Sequence, residues 1–272
     1  ASYMFFFLVM GMIFAAGCSK KPGEGGDIIL SSADNTQSQE NTGTTEPAKE
    51  ETVTETTTEA VTETTTEPVT ETTQPPVEEV KPWDLLNNEP LNPATSGYEE
   101  LDRLIEAYMT MLKNEGTISD DMSPYQKVHS IYVWFIKRIT YNRGMNVDAG
   151  KYSTSDPETT PEEVLWATDL FNTYQGCCYN YSSAFMYIMR YLGYDAHLLS
   201  GQVSSYNGGT TPHCWLYVNL GGEAYTFDPD VDMNYYWRGV KEGSTEEKTD
   251  TLFCRRMEDM SYFYTIEKYH EN

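Results

Sequence analysis

Residues 83–272 predict an α+β domain in which a helix with a cysteine at its N-terminus packs on an antiparallel sheet that carries a histidine and an aspartate. Three observations predict it. Apolar residues recur at helical spacing in stretches between Leu101 and Leu192, the pattern becomes extended after Gly193, and Gly221-Gly222 separates two extended runs as a two-residue hairpin turn.

The elements follow in order. Ser96 precedes an amphipathic stretch with Leu101, Leu104, Ile105, Tyr108, Met111 and Leu112 on one face, ending near Gly116. A second helix begins at Ser123-Pro124, a cap followed by a first-turn proline, and repeats Val128, Ile131, Tyr132, Phe135, Ile136 and Ile139. His129 lies on this helix and reads as an ordinary histidine facing solvent or core. After a polar loop from 142 to 159, Thr160-Pro161-Glu162-Glu163 has the form of a capping box and opens a short helix to about Phe171. The chain turns at Gly176. Tyr181, Ala184, Phe185, Ile188, Met189 and Leu192 then form an apolar stripe that Gly193 terminates, so Cys178 falls at or near a helix N-terminus.

Beyond Gly193 the runs 196–203, 213–220 and 223–230 read as strands. If Leu220 pairs with Glu223 across the hairpin, His213 faces Asp230 and lies diagonal to Asp228 on the same side of the sheet. Imidazole and carboxylate can then meet.

The N-terminal third of the 272-residue chain is of a different kind. Residues 4–16 are an unbroken apolar run, too short to span a bilayer and suited to the core of a signal peptide. No charged segment precedes it, so the extreme N-terminus is expected to be missing. The run ends in AAGC followed by SKK, which resembles the lipobox of bacterial lipoproteins; that resemblance implies cleavage before Cys18 and lipidation of it. Residues 19–82 have almost no large apolar side chains and repeat VTETTTEA, VTETTTEP and VTETTQPP head to tail, the composition of a disordered tether. The organisation expected is therefore a signal peptide with lipobox (1–18), a tether (19–82) and one folded domain (83–272), held outside a bacterial membrane.

Net charge is −24, and much of it lies outside the tether, which argues against binding nucleic acid through the general field of the domain. A protein or peptide substrate at the cell wall is the partner expected, with the lipid membrane a second partner through Cys18. Oligomeric state is not legible. Cys177, Cys178, Cys214 and Cys254 have no disulfide-framework spacing, and their adjacent pairs lack the CxxC spacing of structural zinc sites. No metal or cofactor is expected. A Cys177 to Cys214 staple stays open beside free thiols, whereas Cys214 should point away from the face that carries His213.

Nucleophilic catalysis by cysteine needs a thiolate, a base to take its proton and a group that orients the base. Cys178, His213 and Asp228 supply the three. The helix N-terminus and a nearby imidazolium are expected to lower the Cys178 pKa, and Asp228 to accept the second imidazole N–H. Taken singly, each residue has an ordinary structural reading: a small buried apolar residue, a strand histidine, a strand-ending turn.

The blocks GCCYNYSSAFMYIMRYLGYDAHLLSG, HCW and FDP, in that order, resemble the transglutaminase-like superfamily, whose pattern is G-x-C, an aromatic-rich helix, a lone glycine, then HxW and DP. The segment SPYQKVHSIYVWFIKRITY resembles the helix that precedes them. The resemblance implies a papain-like core with Cys178 as nucleophile, His213 as base, Asp228 as orienting carboxylate and Trp215 as the aromatic residue beside the site. It implies an oxyanion held by the Cys178 backbone N–H and one upstream donor, for which Gln175 and Asn172 are the candidates. Cysteines at 177 and 214 depart from the family pattern and expose the site to oxidation. Two functions are compatible with this reading: an enzyme forming a thioester from a peptide or glutamine amide (protease, amidase or transglutaminase), or a binding module or scaffold at the cell envelope that has lost turnover.

Overall fold

The computed structural model describes residues 81–146, 149–205 and 208–270. The signal peptide, Cys18 and all but the end of the expected tether lie outside the described residues. Pro82, the last residue assigned to the tether, instead opens the first helix, α1 (Pro82–Asn88), as its first-turn proline.

Two amphipathic helices follow. In α2 (Glu99–Asn114) the buried face carries Leu101, Ile105, Tyr108, Met109 and Leu112. Its cap is Tyr98 rather than Ser96; the Ser96 backbone N–H donates to Asp102 Oδ1 at 2.6 Å, which fixes the entry of the chain. In α3 (Pro124–Arg138) the expected start is present: the Gln126 N–H donates to Ser123 Oγ and the Ser123 N–H to Gln126 Oε1. His129 is a part-buried surface residue paired with Asp250 at 2.9 Å.

Beyond α3, β1 (Thr140–Tyr141) runs parallel to β2 (Gln175–Gly176), with α4 (Glu162–Thr173) between them. Thr160 does not cap α4. Pro161 occupies the cap position without a side-chain bond, and the helix continues to Thr173 before Tyr174 turns left-handed at φ 52°. The next helix, α5 (Cys178–Leu192), is the centre of the domain. Tyr181, Phe185, Ile188 and Met189 are buried among α2, α3 and one face of the sheet, and Gly193 ends the helix at φ 104°. Each such aromatic or aliphatic side chain contributes roughly 1.5–3 kcal/mol by leaving water.

The sheet is antiparallel with order β6-β5-β4-β3-β7, comprising β3 (Asp195–Ser204), β4 (Thr210–Leu220), β5 (Glu223–Phe227), β6 (Arg255–Arg256) and β7 (Tyr264–His270). Leu220 pairs with Glu223 as the hairpin requires, and Gly221 and Gly222 take positive φ in the turn. One expectation fails here. The run 223–230 is not a strand throughout: β5 ends at Phe227, Asp228 becomes an N-cap, and Pro229 opens α6 (Pro229–Lys241).

Alternation along β4 divides its side chains. Cys214, Leu216, Val218 and Leu220 join the core around α5, while Trp215 joins Leu199, Val203, Leu252 and Tyr264 in a second cluster on the other face. His213 lies beyond the last β4–β5 rung, Leu216 with Phe227, where the N-termini of α5 and α6 take the place of a neighbouring strand.

Candidate active site

Cys178 is placed by its approach. The Thr140 N–H donates to the Tyr174 carbonyl and the Asn142 N–H to the Gly176 carbonyl, so the β1 segment that follows α3 clamps the turn before α5. A side chain at Gly176 would put its Cβ 2.5 Å from that of Asn180, so only glycine allows the approach. Asn180, three residues into the turn, accepts from the Cys177 N–H at 3.0 Å and donates to the Trp166 carbonyl at 3.0 Å. Sequence reading passed over this residue, although a polar side chain inside an apolar stripe was its signal.

His213 and Asp228 meet as expected, with His213 Nε2 2.7 Å from Asp228 Oδ2. The route differs from the one drawn across a longer strand. Asp228 is fixed as a helix cap, its Oδ1 accepting the Val231 N–H at 3.0 Å, while the Tyr264 hydroxyl donates to Oδ2 at 2.7 Å. Tyr264 also stacks on Trp215 with centroids 4.4 Å apart, and Trp215 lies nearly parallel to the His213 ring. No signal at residue 264 pointed to this role, because β7 joins the sheet from a distant part of the chain.

A second carboxylate belongs to the cluster. Asp230, in the first turn of α6, places Oδ2 3.9 Å from His213 Nδ1, beyond hydrogen-bond length. The Cys178 sulfur, a ring nitrogen of His213 and a carboxylate oxygen of Asp230 all lie within 4.8 Å of one another. Since Asp228 engages Nε2, Nδ1 is the nitrogen left for the other two groups.

The electrostatics correct one expectation. Cys178 was expected to have a lowered pKa, but the adjacent Cys177 sulfur, burial and the Asp230 carboxylate all push its thiol up. The acidic member is Cys177, where the Cys178 thiol and the Tyr179 and Asn180 N–H groups outweigh burial and bring it down to about 7. Burial pushes Asp230 up to about 7. For His213 burial acts downward, but Asp228 and Asp230 outweigh it and raise the pKa above its ordinary value.

The remaining residues are placed as follows. The amide nitrogen of Asn172 donates to the Tyr152 carbonyl at 2.8 Å, committing that donor to the loop before α4. Gln175, on β2 three residues before Cys178, accepts from Asn142 with its side-chain carbonyl at 3.1 Å. Cys177, Cys178, Cys214 and Cys254 are all buried free thiols, so the Cys177–Cys214 staple is not formed.

The core model of the transglutaminase-like superfamily matches residues 113–229. Among solved structures, a protein from Cytophaga hutchinsonii described as a candidate cysteine protease is similar at 19% identity and TM-score 0.34, over 50% of this chain and 40% of that one. A structure described as a TGase is similar at 17% identity and TM-score 0.30, over 62% of this chain and 36% of that one. The chain thus spans well under half the length of either. No curated protein matches. The Cys178 helix, the His213 strand and Asp228 all lie inside the segment, residues 113–229, that matches the core of the transglutaminase-like superfamily.

Proposed function

We propose that this chain is a cysteine-dependent enzyme that attacks a peptide or glutamine amide through a thioester on Cys178, and that it acts outside the bacterial membrane, anchored through Cys18. The observation that carries the reading is the buried relay: a thiol at the first turn of α5 beside an imidazole whose far nitrogen is held 2.7 Å from Asp228.

Because the surroundings of Cys178 favour the thiol, its proton leaves as attack begins. His213 Nδ1 takes it while the sulfur electron pair forms the bond to the amide carbon. The resulting imidazolium is stabilised by Asp228, and it returns the proton to the amine nitrogen as the C–N bond breaks. Water or an acceptor amine, deprotonated by the same nitrogen, then resolves the thioester. The Cys178 backbone N–H is the first oxyanion donor, and Gln175 the upstream candidate that remains.

The test is labelling with a thiol-reactive acyl probe followed by peptide mapping. The expected result is rapid modification of Cys178 that depends on His213. Slow labelling, unaffected by His213→Ala in a variant shown to be folded, would favour the second reading, a binding module; the upward shift of the Cys178 thiol is the observation on that side.

A further inference from the structure

The relay leaves Asp230 without a task. Its carboxylate is buried, Oδ1 has no hydrogen-bond partner among the described residues, and Oδ2 is too far from His213 Nδ1 for a hydrogen bond. Buried carboxylate oxygens are ordinarily partnered, and an orphan calls for an explanation. Around it stand a sulfur from α5 and an imidazole nitrogen from β4, all three donors within 4.8 Å of one another.

Thiolate, imidazole and carboxylate together are donors suited to zinc, and three protein ligands leave a fourth position for water. Magnesium and calcium, which ask for oxygen donors, do not fit this set. The outer contacts point the same way. A metal-binding histidine usually gives its far N–H to a carboxylate, and His213 gives Nε2 to Asp228, itself fixed by Val231 and Tyr264. Ligand atoms in a tetrahedral site stand roughly 3.5 Å apart, so small side-chain rotations suffice to close the cluster.

We infer that Cys178, His213 and Asp230 form a binding site for a divalent cation of the zinc class, and that occupation of this site masks the nucleophile. On binding, the Cys178 S–H bond breaks, its proton passes to solvent, and a sulfur–metal bond forms with no change in oxidation state. Thiolate and carboxylate together balance the two positive charges. The masking rests on the reading of Cys178 as nucleophile; the binding does not.

The test adds Co²⁺ to the full chain, reduced with a phosphine, and then displaces it with Zn²⁺. One equivalent should produce visible bands of a tetrahedral ion and a near-ultraviolet thiolate-to-cobalt band, both abolished by prior alkylation of Cys178. Asp230→Asn should weaken Zn²⁺ binding at least tenfold, and Asp228→Asn by about 10- to 100-fold through the histidine. Cys177→Ser and Cys214→Ser should retain the sulfur band. A cobalt spectrum without that band, or undiminished binding in folded Asp230→Asn, overturns the site. Should Asp230→Asn fail to fold, the alkylation result on the unaltered chain decides. Zn²⁺ should also slow labelling of Cys178 at least tenfold, and a chelator should restore it. If metal-free Cys178 proves unreactive while the cobalt spectrum holds, the enzyme reading fails and the metal site stands.

Discussion

Cys177 and Cys178 are one peptide bond apart in opposite surroundings, the first lying against the N–H groups of a helix turn and the second buried beside the Asp230 carboxylate. On the proposed mechanism, proximity to His213, rather than acidity, would select Cys178 for attack. Cys178→Ala should therefore abolish acylation by substrate or probe, whereas Cys177→Ala should leave it, as peptide mapping will show. Asp228→Asn keeps the shape but frees the imidazole to rotate, and turnover should fall by about 10³- to 10⁴-fold in steady-state kinetics. Tyr264→Phe removes a charge-assisted hydrogen bond to the same carboxylate, and urea unfolding should show a loss of about 1.5–3 kcal/mol. Cys178, His213 and Asp228 could be read from sequence because their neighbours carry a pattern. Tyr264 could not, since a strand from the end of the chain supplies it.

Among the elements, the loop before α4 is held from both sides, by Asp169 and Asn172 on α4 and by Glu100 on α2. Glu100 on α2 accepts from the Ser153 hydroxyl, the Thr154 N–H and both donors of Ser155. Burial acts to raise its pKa, but these bonds prevail and bring it from 4.5 to about 2. A depressed carboxylate pKa stabilises the fold above the unfolded value and loses that contribution as pH falls through the folded one. Glu100→Gln should thus cost about 1 kcal/mol at neutral pH once solvent screening is allowed for, with the difference from the parent vanishing between pH 4.5 and 2 in urea unfolding. On the sheet, Gly201 sits where β7 shifts register, and a Cβ there would lie 2.0 Å from the Thr265 carbonyl oxygen. Gly201→Ala should lower the melting temperature steeply and loosen β7, and with it Tyr264. Helix periods and the Gly-Gly hairpin were legible because they are local. The run 223–230 was misread because its alternation continues past Phe227, although Asp228-Pro229 is itself a cap and first-turn signal.

At the scale of the whole molecule, the anchor expected from AAGC has a direct check. Cys18→Ala should move the protein from the detergent phase to the aqueous phase on phase partitioning, and continued membrane partitioning of a processed variant would refute lipidation. Within the domain, the sequence by itself determined the α+β class, the position of the α5 N-terminus, the hairpin register and the order Cys178, His213, Asp228, because short-range periodicity, caps and turns specify them. Only the tertiary structure decided that β5 stops at Phe227 so that α6 can bring Asp230 to the cluster, and that Tyr264 returns to hold Asp228. It alone also overturned the expected lowering of the Cys178 pKa. A pKa depends on burial and on charges supplied by distant elements, and neither exists until the chain has packed.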